Sequence, residues 1–230
     1  MFCTQGTLAI QCPAVLNKRT PLWPGAWLVI LACAFLVDQP ISQWLFVHGF
    51  HDSETGIFKG TPWADAARFF GTYYAVIVLA GVLLLVRMLS WQRAGALLLC
   101  AATAVATDIV KWIAGRSRPV NPAGLLSAPM DFVPFSYRES GNSFPSGHAM
   151  LAFATAACLA RYYPRWWPLF YAVATLVAME RVLELAHYLS DVVAAAGIGI
   201  ILSQACMRAL LRWFPVPPLP AVKAVEDTNT

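Results

Sequence analysis

Apolar positions along this 230-residue chain gather into long blocks, and polar positions gather between them. Six blocks stand out: Leu22–Val37, Ala66–Val86, Ala94–Val110, Gly147–Ala160, Trp166–Met179 and Val192–Leu211. They predict six membrane spans, although several fall short of the roughly 20 residues that cross a hydrocarbon core. Aromatic residues fill part of the shortfall. Trp23, Trp27, Trp63, Trp91, Trp112, Trp166, Trp167 and Trp213 lie near the expected boundaries, where amphipathic rings settle at the membrane–water interface. Between the first two spans, Ile41–Phe50 fits a helix lying on the membrane surface. The expected organisation is an N-terminal tail over 1–20, a membrane domain over 21–214, and a Pro-rich, then polar tail over 215–230 that reads as disordered.

Composition supports the same picture. Hydrophobic residues make up 59% of the chain and charged residues only 12%, with a mean hydropathy of +0.60. So much apolar surface does not fit inside a soluble globule of this size. The net charge of +4 is modest and contains no basic run, so nucleic acid is not an expected partner. Cys3 and Cys12 fall in the N-terminal tail. Cys33, Cys100, Cys158 and Cys206 fall in apolar runs with neither CxxC nor metal-type spacing, and read as reduced, core-like thiols. No basic stretch precedes an apolar core within Met1–Leu16, so the start does not read as a secretory signal.

Lys and Arg set the expected orientation. With a cytoplasmic N-terminus, the inner side carries nine cations and two acids (+7), and the outer side seven cations and ten acids (−3). The long loop Val120–Phe144 then lies outside. Three of the seven outer cations are candidates for chemistry, and setting them aside sharpens the split to nine against four.

Titratable groups at membrane depth are costly and point to function. Lys111 and Arg118 are seven residues apart before Pro119; on an unbroken helix they share a face about 10 Å apart, able to grip one anion from two sides. Two interfacial anchors snorkelling to lipid phosphates would look the same. Ser143-Phe-Pro145-Ser146-Gly147-His148 opens the fourth span. A helix start with free N–H groups favours an anion, Gly147 allows close approach, and His148 sits in the first turn. An ordinary helix start with an interfacial histidine fits equally. His187 and Asp191 are four apart, the spacing at which a carboxylate fixes an imidazole tautomer and frees the other nitrogen as nucleophile or base. A local cap on the sixth span is the plainer account. Asp108, one turn before Lys111, reads as its partner.

Together these segments resemble the type 2 phosphatidic acid phosphatase superfamily. Its pattern is K-x6-R-P, then P-S-G-H, then S-R-x5-H-x3-D, and the chain has, in that order, Lys111…Arg118-Pro119, Pro145-Ser146-Gly147-His148 and Arg181…His187…Asp191. The gaps are 25 and 32 residues. One position departs: Glu180 stands where the family usually has Ser, which places an anion beside a phosphate-binding arginine unless it points away or pairs with a cation.

The resemblance implies an all-α, six-transmembrane helical bundle with its site near the outer membrane surface. His187 would attack phosphorus, Asp191 would orient it, and His148 would protonate the leaving oxygen and then activate water. Lys111, Arg118, Ser146, Gly147 and Arg181 would hold the phosphate. Neither a metal nor another cofactor is implied. The expected activity is hydrolysis of a lipid phosphate or pyrophosphate, with undecaprenyl pyrophosphate, phosphatidic acid, phosphatidylglycerol phosphate and a lipid A phosphate as candidates. Phosphoryl transfer to a second lipid, or lipid binding without turnover, are the alternatives. The expected setting is a bacterial inner membrane with both termini cytoplasmic; nothing in the chain speaks to its oligomeric state.

Overall fold

The computed structural model describes residues 22–49, 61–88, 90–121, 124–138 and 141–213. The expected tails, 1–20 and 215–230, lie outside them. Among the described residues the chain is helical, with two isolated β-bridges (Arg116 with Phe132, Val120 with Leu126) and no strand.

Helix α1 runs from Leu22 to Val47. The first span was expected to stop at Val37, with a surface helix beginning at Ile41; instead one helix continues through Asp38 and Pro40. Proline removes one backbone bond, but the far side is anchored, since Ser42 and Leu45 are buried. The expected span Ala66–Val86 is two helices, α2 (Pro62–Phe70) and α3 (Tyr73–Leu85), bent by 78°. Gly71 makes the bend possible, because a Cβ there would lie 2.8 Å from both His148 Cβ and Val177 Cγ1. Thr72 starts α3 by accepting from Ala75 N through its hydroxyl. The third expected span is also divided, into α4 (Trp91–Ala101) and α5 (Thr103–Ala114). The last three helices are α6 (Gly147–Tyr162), α7 (Trp167–Leu183, entered through a 3-10 turn at Pro164–Trp166) and α8 (Leu189–Trp213).

Helix α6 is central and packs on α7 and α8, while α1 packs on α8, α2 on α7, and α4 and α5 on α6. The close crossings are made by small residues, the usual device where lipid removes a hydrophobic drive between helices. Ala149, Ala154 and Ala156 of α6 are buried. A Cβ on Gly199 of α8 would stand 2.4 Å from the Met150 carbonyl oxygen. Trp27, expected in the interfacial belt, is set between helices: its ring lies on Gly197 and its indole N–H donates to the Val193 carbonyl (3.2 Å). Larger apolar side chains face outward, among them Leu36, Ile77, Val78, Leu85 and Leu176. Small residues inside and large apolar residues outside describe a membrane protein.

Among the described residues two helices are long and apolar enough to cross a bilayer, Gly25–Val47 and Leu189–Leu210, and the bent α2–α3 pair makes a third if counted as one span. Cys33, Cys100, Cys158 and Cys206 are free thiols.

Candidate active site

The site forms where the segment between α5 and α6 meets the starts of α6 and α8. Helix α5 ends at Ala114 because Gly115 turns left-handed (φ +61°) and donates its N–H back to the Lys111 carbonyl (2.8 Å). Glycine is required twice over here, since a Cβ would also run into the Val133 carbonyl oxygen at 1.7 Å. The helix that would put Lys111 and Arg118 on one face therefore does not continue. Lys111 stays on its last turn and Arg118 stands on the segment beyond, yet the charge of Arg118 still reaches Lys111.

Backbone bonds then bring the motifs together. The Ser143 N–H donates to the Arg116 carbonyl (2.8 Å) and the Asn142 amide to the Lys111 carbonyl (2.9 Å). The Ser146 N–H, at the start of α6, donates to the Asp191 carbonyl in the first turn of α8 (3.3 Å). Residues more than 40 positions apart thus share one small volume.

His187 precedes α8 instead of lying on it, in a turn where Ala186 and His187 both donate backbone N–H to the Arg181 carbonyl (3.1 and 3.2 Å). Its Nδ1 is 3.7 Å from Asp191 Oδ2 and 3.4 Å from Ser143 Oγ. Asp191 Oδ2 also accepts from the Ser143 hydroxyl and from the Tyr188 N–H (2.9 Å). Burial pushes the His187 imidazole below the ordinary histidine value, and Asp191 opposes the shift. A ring kept neutral, with Nδ1 turned to a carboxylate, leaves Nε2 available as a nucleophile.

The other expected residues surround this pair. His148, in the first turn of α6, is half-buried and feels the charges of Arg181, His187, Lys111 and Arg68. Ser146 Oγ and Arg118 Nε are buried with no hydrogen-bond partner among the described residues. Arg118 passes beside Gly141, where any side chain would meet the guanidinium. Asp108 is exposed and its charge reaches Lys111, in line with a partner's place. Among the described residues no three His, Cys, Asp or Glu side chains are grouped to hold a metal ion.

Arg181 is not free. Its guanidinium meets both carboxylate oxygens of Glu180 and Glu184 Oε2 (2.6 Å). Glu180 is fully buried, and Arg68 of α2 bonds to Glu184 and lies 3.5 Å from Glu180. The anion that replaces serine is thus neutralised by arginines on two helices. Arg138 is occupied as well, by Asp131 and the Gly115 carbonyl, while Tyr137 is exposed; Glu139 lies outside the described residues.

Four residues that the sequence did not single out complete the centre: Asp38, Arg116, Ser143 and Ser190. Arg116 sits inside the first motif and Ser143 two positions before the second, and neither occupies a position the pattern specifies. Asp38, at the end of the first apolar run, read as the edge of a span.

A sequence model described as the PAP2 superfamily matches residues 92–215. Two curated relatives, lipid A 1-phosphatases of Rhizobium johnstonii and Rhizobium etli, are each 35% identical over 112 residues. Those matches cover 48% of this chain and 44% and 47% of the relatives, so less than half of each relative's length is matched. The crystal structure of a transmembrane PAP2-type phosphatidylglycerolphosphate phosphatase from Bacillus subtilis aligns with a TM-score of 0.54 over 84% of this chain and 98% of that one. At 20% identity that likeness speaks to the fold alone.

Proposed function

Because the chain belongs to the PAP2 superfamily, whose sequence model spans more than half of it, we propose that it is an integral-membrane lipid phosphatase. It hydrolyses a phosphomonoester or pyrophosphate on a membrane lipid through a phosphohistidine at His187, without a metal. The observation that carries this reading is a buried imidazole whose Nδ1 faces Asp191 and Ser143, next to unpartnered Arg118 Nε and Ser146 Oγ.

Lys111, Arg118, Ser146, the Gly147 backbone and Arg181 receive the phosphate oxygens. Preformed donors of this kind lower the barrier because they need no reorganisation as charge moves. His187 Nε2 bonds to phosphorus while the bond from phosphorus to the lipid-side oxygen breaks. His148, protonated once the incoming phosphate offsets the neighbouring cations, gives its proton to that oxygen. Neutral His148 then takes a proton from water, the water oxygen bonds to phosphorus, the P–N bond breaks, and inorganic phosphate leaves. Asp191 keeps the ring oriented and stabilises its positive charge in the phosphorylated state.

With six spans, the cation distribution supports both termini cytoplasmic and the site at the outer face; the membrane is taken to be a bacterial inner membrane. The lipid A 1-phosphatase relatives put a lipid A phosphate first among substrates, ahead of phosphatidylglycerol phosphate, phosphatidic acid and undecaprenyl pyrophosphate. The test is phosphate release from each lipid in detergent with EDTA present. The expected result is release on at least one lipid and loss of about 10³-fold or more in a His187→Ala variant. Undiminished release from that variant would sink the mechanism. Binding without release on every lipid would favour a silent site in which Glu180 holds Arg181 for good, and transfer of label to an added lipid acceptor would make the protein a transferase.

A further inference from the structure

Asp38, Arg116 and Asp191 are each fully buried, and charges in such a place persist only when paired and hydrogen-bonded. Every nitrogen of the Arg116 guanidinium is bonded. Its Nε donates to the Pro129 carbonyl (2.8 Å), Nη1 to Ser190 Oγ (2.6 Å) and to Asp191 Oδ1, and Nη2 to Asp38 Oδ2 (2.7 Å). The rings of Phe35, Phe132 and Tyr188 enclose the guanidinium, with centroids 5.1, 5.1 and 4.2 Å from its central carbon. Asp38 is fixed just as fully, its Oδ1 accepting from the Ser190 N–H (2.9 Å) and its Oδ2 from the Ser190 hydroxyl (2.5 Å) as well as from Arg116. Helix α1, the loop after α5 and the start of α8 are thus bolted together at the back of the catalytic carboxylate.

Counting charge gives this bolt a chemical meaning. Arg116 alone would neutralise Asp191 and leave no net negative charge behind the His187 ring. With Asp38 the three groups sum to −1, and that charge is available to the imidazole as it gains positive charge. We propose that Asp38 and Arg116 are positioning residues for His187: Arg116 fixes the Asp191 carboxylate, and Asp38 restores the negative charge that Arg116 would cancel. The first helix is then part of the catalytic apparatus, although it contributes nothing to the three motifs. The inference rests on His187 acting as the nucleophile.

The test is the pH dependence of kcat and kcat/KM for Asp38→Asn in detergent. The substrate is whichever of lipid A, phosphatidylglycerol phosphate, phosphatidic acid and undecaprenyl pyrophosphate the wild type turns over fastest. His187 is also faced by Lys111 of α5, Arg118 of the following loop, His148 of α6 and Arg181 of α7, and all of these stay in place. Losing one negative charge favours the neutral ring, so the acid limb of kcat/KM should move to lower pH. The ring is also less well supported when charged, so kcat should fall about 10- to 100-fold, with KM near that of the wild type. A merely structural bolt would alter thermal stability and leave the limb where it was. Wild-type kcat and an unmoved acid limb in folded Asp38→Asn overturn the proposal. Should that variant fail to fold, Arg116→Lys decides: it keeps every charge but cannot bond Asp38, Ser190 and Asp191 at once, so kcat should fall, and wild-type kcat there overturns the proposal equally. His187→Ala runs alongside. If it stays active, or if the wild type releases phosphate from none of the four lipids, the nucleophile reading fails and this inference with it. If it is inactive while Asp38→Asn is unimpaired, only this inference fails.

Discussion

Two arginine–carboxylate clusters flank the centre, made of nearly the same parts and held in different ways. Behind His187, one arginine lies between two aspartates with no exposed side-chain surface on any of the three. Beside Arg181, two arginines share two glutamates, and the outer arginine, Arg68, keeps 40% of its side-chain surface exposed while Glu184 keeps 18%. The first cluster carries net charge and is walled by aromatic rings; the second is neutral and open on one side. A charge that neither water nor a ligand can reach is suited to holding geometry. A charge that solvent can reach can exchange its partner, which the phosphate-binding role proposed for Arg181 requires.

The sharpest way to break this contrast is Arg116→Ala. It would leave Asp38 and Asp191 buried without their cation, and removing one member of a buried ion pair costs about 3–5 kcal/mol. Thermal unfolding in detergent should show a large fall in Tm together with loss of phosphatase activity. A Tm within a degree or two of the wild type would mean that water reaches the cluster and that its rigidity is not what distinguishes it.

The same contrast separates what was legible in the sequence from what was not. The three motifs were readable because each is local: His187 and Asp191, or Ser146 and His148, lie within one or two turns of each other. The Asp38–Arg116 pair spans 78 positions, and nothing in the neighbourhood of Asp38 distinguishes a partnered carboxylate from the polar end of a span. The 78° bend between α2 and α3 was hidden for a similar reason. Hydropathy is continuous across Gly71, and the bend is set by His148 and Val177 pressing on that glycine from other helices. Trp27 misled because a tryptophan near an apolar boundary looks interfacial, while its actual hydrogen-bond partner, Val193, is 166 residues away. Hydropathy reports which environment a segment tolerates; it does not report which residues on other helices will meet it.

Glu180→Ser probes the open cluster at its centre. If the carboxylate competes with substrate for Arg181, removing it leaves Arg181 only Glu184 to release. KM for the lipid phosphate should then fall roughly three- to tenfold with kcat changed less than about twofold, as expected when a competing charge-assisted bond is removed from the ground state. An unchanged KM would make Glu180–Arg181 a second fixed bolt and erase the difference between the clusters. A rise in KM would mean that Glu180 aims Arg181 at the phosphate, a gain in order outweighing the competition.

The smallest effect belongs to Arg68→Ala. Arg68 is the most exposed member of either cluster, and both of its glutamates keep Arg181 as a partner. A pair whose arginine is open to solvent contributes little, about 0–1 kcal/mol at an exposed site, and is screened by salt. Tm should therefore shift only slightly, and the shift should shrink further as ionic strength rises, whereas the loss caused by Arg116→Ala should persist in high salt. The effect on catalysis is expected to run through Arg181. Without Arg68, Glu180 and Glu184 both turn wholly to that guanidinium, so KM should rise modestly, opposite in sign to Glu180→Ser. Measuring the two variants in one salt series tests both halves of the contrast. Opposite KM shifts with a small, salt-sensitive Tm change are the signature of an exchangeable cluster, and a large, salt-insensitive Tm loss in Arg68→Ala would show that this cluster too is closed.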